Sequence, residues 1–150
     1  MTHENIFSFE KGYTLNKIKL ACLASLFSSS FVYAASPCDE FELKIKNNLA
    51  DSLLVTTLKL SGADLQPSGI QKIDSKTAQV FTINSSPKDA SMVGKFVFHT
   101  ISVPIKTVTI EFTLNNTSLF CEHTETSTSG DYSVEKSRYP GSVNYTINNK

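Results

Sequence analysis

The chain has 150 residues, with 14 basic and 14 acidic side chains that cancel at neutral pH. That balance gives no concentrated basic surface, which excludes nucleic acid as the expected partner and argues against attraction to an anionic membrane. With 40% apolar and 19% charged residues, the composition is that of a folded chain.

The first predicted element is a targeting segment. Lys17 and Lys19 introduce the run KLACLASLFSSSFVYAA, which ends in small residues. A basic stretch, an apolar stretch and a small-residue cleavage site make a secretory signal, with the cut placed after Ala34. A membrane anchor would need about 20 consecutive apolar residues, and Ser25, Ser28, Ser29 and Ser30 interrupt the run. Lys19 before Cys22, and Pro37 before Cys38, do not fit a lipid-modified cysteine. The expected organisation is a signal peptide over 1–34 and a single domain over 35–150, secreted or periplasmic. From position 35 onward, eleven basic and twelve acidic residues leave a net charge of −1.

Period-two alternation dominates the rest of the chain, which predicts strands. Phe41, Leu43 and Ile45 alternate with Glu42, Lys44 and Lys46. NLADSLLVTTLKLSG has two readings, a capped helix or a strand with Leu54, Thr56, Leu58 and Leu60 on one face. The run Val55-Thr56-Thr57 lowers helix propensity and favours the strand. SGADLQPSG reads as turn. Phe81 and Ile83 share a face, then Phe96 and Phe98, then Val108, Ile110, Phe112 and Leu114. Branched and aromatic side chains suit a pleated, half-buried surface. Asn115-Asn116 predicts a tight hairpin, STSGD a turn, and Pro140-Gly141 a reversal before Val143, Tyr145 and Ile147. Short strands at this spacing predict an all-β fold, a small antiparallel β-sandwich, with a small barrel as the alternative.

Within FTLNNTSLFCEHTET, Cys121, His123 and Glu125 alternate on one face. A zinc site needs three or four ligands at about 2 Å. Alternate strand residues step by about 6.6–6.8 Å, which suits closure round one ion poorly. No HExxH or CxxC pair accompanies them, so no metal or other cofactor is expected, and His123 and Glu125 stand as the only metal candidates. A Cys-His nucleophile would need a free Cys121. Export favours a bond instead: removing Cys22 with the signal leaves Cys38 and Cys121, which predicts one disulfide. On that reading Leu119 and Cys121 continue the inward face, and His123 and Glu125 mark where it leaves the core.

Arg138, the sole arginine, lies in EKSRYPGSVNY with Tyr132, Tyr139 and Tyr145 nearby in sequence. Arg and Tyr are enriched in binding hot spots, so these four are the candidate binding residues. No GxSxG, P-loop, dinucleotide fingerprint or EF-hand loop is present. The expected function is a non-enzymatic exported protein that binds a protein, glycan or surface partner. One alternative is a membrane-active protein, pore-forming or lipid-binding, with Phe96, Phe98 and Phe120 as its insertion face. The other is a small secreted metal-dependent or Cys-dependent hydrolase.

Overall fold

The computed structural model describes residues 35–88 and 90–150. The expected signal peptide, with Cys22, lies outside the described residues. Residues Ala35–Lys150 form one compact unit.

The fold is a β-sandwich of two five-stranded sheets, not a closed barrel. The strands are β1 (Glu42–Asn47), β2 (Leu53–Leu60), β3 (Asp64–Gln66), β4 (Gln71–Ile73), β5 (Ala78–Asn84), β6 (Ser91–Thr100), β7 (Thr107–Asn116), β8 (Cys121–Gly130), β9 (Ser133–Tyr139) and β10 (Ser142–Asn148). Sheet A runs β3-β5-β1-β10-β9 and sheet B runs β4-β2-β6-β7-β8. Each sheet therefore keeps two edges, which a barrel would not have. All neighbours pair antiparallel except β1 and β10, which run parallel with Glu42 opposite Ser142 and Asn47 opposite Ile147.

The alternating apolar sets meet between the sheets. Leu43, Ile45, Phe81, Ile83, Val143, Tyr145 and Ile147 of sheet A face Phe96, Phe98, Val108, Ile110, Phe112 and Leu114 of sheet B, all buried. Phe96 is the centre of an aromatic cluster, with ring centroids 5.2 Å from Phe81, 5.8 Å from Phe98 and 5.4 Å from Phe112. Gly94 occupies the inward position between Met92 and Phe96, and a Cβ there would fall inside the Phe112 ring. The bare backbone is what lets that ring lie flat across β6.

Four sequence expectations shift, one of them the turn at STSGD, whose Ser127–Gly130 pair with β7 as the end of β8. The segment 48–61 contains a strand, but Leu53 and Val55 point inward while Leu54 is half-buried and Thr56 exposed. The register against β6 skips Thr56, a bulge that reverses the alternation and returns Leu58 and Leu60 to the core side. The hairpin at Asn115-Asn116 turns one step later: both are strand residues, Asn116 lies opposite Cys121, and Thr117–Phe120 form the loop. The stretch read as turn over 61–69 holds β3, after which the chain leaves sheet A and re-enters sheet B as β4. A strand that changes sheets closes one corner of the sandwich.

Candidate functional site

The loops 85–88, 117–120 and 140–141 gather at one end of the sandwich, together with the segment that leads into β1. This is the disulfide end. Cys38 and Cys121 are bonded, with a Cα separation of 4.6 Å, tying the entry to β1 to the start of edge strand β8. Beside the bond, Asn116 accepts from the Cys38 N–H at 2.7 Å and donates to the Pro87 carbonyl. Asp39 adds a third tie, accepting from the Ser86 N–H at 2.7 Å and the Ser86 hydroxyl at 2.9 Å. The Ser86 N–H is the main reason the Asp39 carboxyl is held below its usual range. Asn116 thus acts as a clamp, which its place beside Asn115 disguised as a turn signal.

Against this braced end lies a cleft of about 560 Å³ lined by Pro37, Leu119, Phe120, Cys121, Arg138 and Tyr139 and closed by Pro140-Gly141. The hairpin loop fixes two of these. Thr117 N–H donates to Phe120 O at 3.1 Å, and the Thr117 hydroxyl donates to the same carbonyl at 2.7 Å. The loop is thereby held in one shape while Leu119 stays 86% and Phe120 54% exposed. On the facing edge of sheet A, Arg138 reaches the Cys121 carbonyl with Nη2 at 3.4 Å, and Tyr139 is 53% exposed. Tyr139 stands opposite Ser142 across the two-residue turn Pro140-Gly141, where Gly141 takes φ of 73°. Pro followed by a glycine with positive φ is a common pattern for such a tight turn.

Leu119 is a correction to the inward face expected of it: it lies in the loop, outside strand alternation. Phe96 and Phe98 are fully buried in the core and offer no insertion face; Phe120 alone of that expected set reaches solvent.

The four candidate binding residues do not assemble. Arg138 and Tyr139 line the cleft. Tyr132 is buried at the far end, beyond the length of β9, with Lys106 Nζ 5.6 Å from its ring centroid. Tyr145 is wholly buried in sheet A, and its hydroxyl meets His123 Nε2 at 2.8 Å. Phe120 and Pro37 complete the cleft from the β7–β8 loop and the entry to β1. Sequence spacing held no sign that β8 and β9 would place them beside Arg138.

His123 is likewise in the core rather than at its boundary. Its ring stacks between Phe112, at 5.5 Å, and Phe41, at 6.4 Å. Burial, reinforced by the positive charges of Lys136 and Arg138, holds its pKa down to about 4 from 6.5. The imidazole is therefore neutral at neutral pH. Tyr145 donating to Nε2 leaves one orphan, the Nδ1–H, whereas the reverse arrangement would leave two, the Nδ1 lone pair and the phenol hydrogen. Burial also raises the Tyr145 phenol above its ordinary value, with a smaller contribution from Glu125. Glu125 is half-buried further along β8, opposite Phe112. Cys121 has its sulfur in the disulfide and carries no thiolate. Among the described residues, no three His, Cys, Asp or Glu side chains are grouped to hold a metal ion.

Fold and cleft together define a disulfide-braced β-sandwich with an aromatic and arginine-bearing cleft at its bonded end. The chain matches no protein-family model and no curated protein in sequence.

Proposed function

We propose that this is an exported binding protein without catalytic activity, and that it docks a protein partner through the cleft of Leu119, Phe120, Arg138 and Tyr139. The observation that carries the proposal is two large apolar side chains held out in solvent by a hydrogen-bonded loop, directly beside the only arginine. Arg138 and Tyr139 beside them are of the types enriched in binding hot spots when a partner desolvates them. The disulfide, Asn116 and Asp39 fix the cleft in advance, so little ordering is left to oppose association. Export is supported by the signal-like sequence over 1–34, and the disulfide is compatible with an oxidising compartment.

The test is site-specific photocrosslinking in the producing cell, with a benzophenone amino acid at Leu119 and, separately, at exposed Glu135. The expected result is a discrete protein adduct from position 119 that disappears in Arg138→Ala and is absent from position 135. Vesicle flotation or glycan-array binding through these residues, without a protein adduct, would refute the protein reading.

A second reading has its own observation. At the far end, the β6–β7 loop exposes Ile101, Val103 and Ile105, with Val103 91% exposed. The base of the loop is fixed, since Thr100 N–H donates to Lys106 O and Lys106 N–H to Thr100 Oγ1, each at 2.9 Å. A fixed apolar tip suits shallow insertion at a lipid surface. Vesicle flotation that is lost in Val103→Asp would support it, and no flotation on neutral or anionic vesicles would remove it.

A further inference from the structure

The edges of the sandwich are not equally protected. Edge strand β9 carries Lys136 and Arg138 opposite Tyr145 and Val143, charges turned toward the inside of the sandwich edge. Inward charges of this kind discourage another strand from pairing there. The opposite edge of sheet B is different. β4 covers only Leu53–Val55 of β2, and the chain then departs through Ser68-Gly69. The remaining stretch, Thr57–Leu60, has a strand on one side only.

Its backbone orientation follows from the register. Leu60 lies opposite Gly94, and Ser61 N–H donates to Val93 O at 2.9 Å. In an antiparallel ladder that bond makes Leu60 and Gly94 a non-hydrogen-bonded pair. Both backbone groups of Leu60, and two residues earlier those of Leu58, therefore turn away from β6. Among the described residues neither has a backbone partner on that outer side. They open onto a cleft of about 840 Å³ between β2 and the β3–β4 crossover, whose inner wall includes Ala63 and Leu65. Two outward donors and two outward acceptors, at strand spacing and beside apolar side chains, match a polypeptide in extended form. A lipid tail would leave them unpaired.

We infer that Thr57–Leu60 takes an extended peptide of a partner protein as an added strand of sheet B. Charge decides what kind. Lys59 is exposed on the outer face of sheet B, opposite Lys95. Lys95 is paired with Glu111 at 2.7 Å, and Lys59 has no ion pair among the described residues. A second copy pairing by two-fold symmetry about Lys59 would set Lys59 against Lys59, and like charges directly opposite are unfavourable. A foreign strand with an acidic residue at that position meets Lys59 favourably. Its neighbours on either side face inward with Leu58 and Leu60 and should be apolar. The fitted motif is apolar, acidic, apolar, presented over about 13 Å of strand.

The probe is a phage-displayed library of random ten-residue peptides panned on the oxidised protein. Enriched peptides should carry the apolar–acidic–apolar motif. A synthetic enriched peptide should slow amide exchange at Leu58 and Leu60 at least tenfold while leaving the Arg138 cleft unaffected. Leu58→Pro removes an outward donor without touching the β2–β6 ladder, so it should keep the fold and weaken the peptide at least tenfold. Lys59→Glu should reverse the charge preference of the enriched set. No enrichment, enrichment blind to Leu58→Pro, or protection confined to the Arg138 cleft would each overturn the inference. A dimer in solution that Leu58→Pro dissociates would also overturn it, by assigning the edge to a second copy. Loss of the Leu119 crosslink, by contrast, bears on the disulfide-end cleft and not on this edge.

Discussion

His123 should make the protein acid-sensitive at a pH where its carboxylates do not. In the folded chain the imidazole is held to about 4, against 6.5 for the free side chain. Between those values the unfolded chain takes up a proton that the folded chain refuses. Stability is thus fully present above 6.5 and falls as the pH drops toward 4. The gap is about 2.5 units, and at about 1.4 kcal/mol per unit the whole loss is about 3.5 kcal/mol, of which about 2 kcal/mol is reached by pH 5. Asp39, Asp74 and Glu111 are each held low, by Ser86, Lys72 and Lys95 respectively, so their losses begin only below the ordinary values of 3.8 and 4.5. Urea unfolding at pH 7.5 and pH 5 therefore isolates the histidine. His123→Gln keeps a partner for Tyr145 and does not titrate in this range. It should lose about 2 kcal/mol less than the native protein over that interval. Equal losses in the two proteins would refute the reasoning, as would a His123 imidazole resonance in the folded protein that titrates near 6.5.

Three further outcomes are expected. Replacing both Cys38 and Cys121 by Ser opens a loop with a sequence separation of 83 and should cost roughly 4 to 5 kcal/mol in denaturant midpoint analysis. Gly94→Ala forces Phe112 out of its place over β6 and should destabilise by about 1–3 kcal/mol or more, read as a lowered Tm, whereas Ala at exposed Ser91 of the same strand should be near neutral. Asn116→Ala leaves the Cys38 N–H and the Pro87 carbonyl without their partner and should cost about 1–3 kcal/mol. Faster amide exchange at Cys38 would mark that loss as local to the disulfide end.

The core was legible because its side chains declare themselves one at a time. Every second residue from Phe41 to Ile45, from Val108 to Leu114 and from Val143 to Ile147 is apolar, and all are buried. What misled were features whose meaning lies in a partner strand. The bulge at Thr56 is invisible in β2 alone, because it exists only as a register with β6. The second half of β8, TETSTSG, gave no apolar signal because it is an exposed edge that asks for none. His123 looked like a boundary residue because imidazole is polar, yet Tyr145 on the other sheet supplies its hydrogen bond and Phe112 and Phe41 its walls. The cleft combines residues from the β1 entry, the β7–β8 loop and β9, and their spacing in sequence carries no record of that meeting.

The parallel pairing of β1 with β10 bears on when this protein becomes a protein. Glu42 of β1 pairs with Ser142 of β10 across 100 residues of chain, and β10 is the strand on which both β1 and β9 hydrogen-bond within sheet A. Until it arrives, Leu43 and Ile45 lack their neighbours Val143 and Tyr145, and His123 lacks its phenol. Contacts that span so much chain form late and close expensive loops. Sheet A therefore stays incomplete until residues 142–148 have been made.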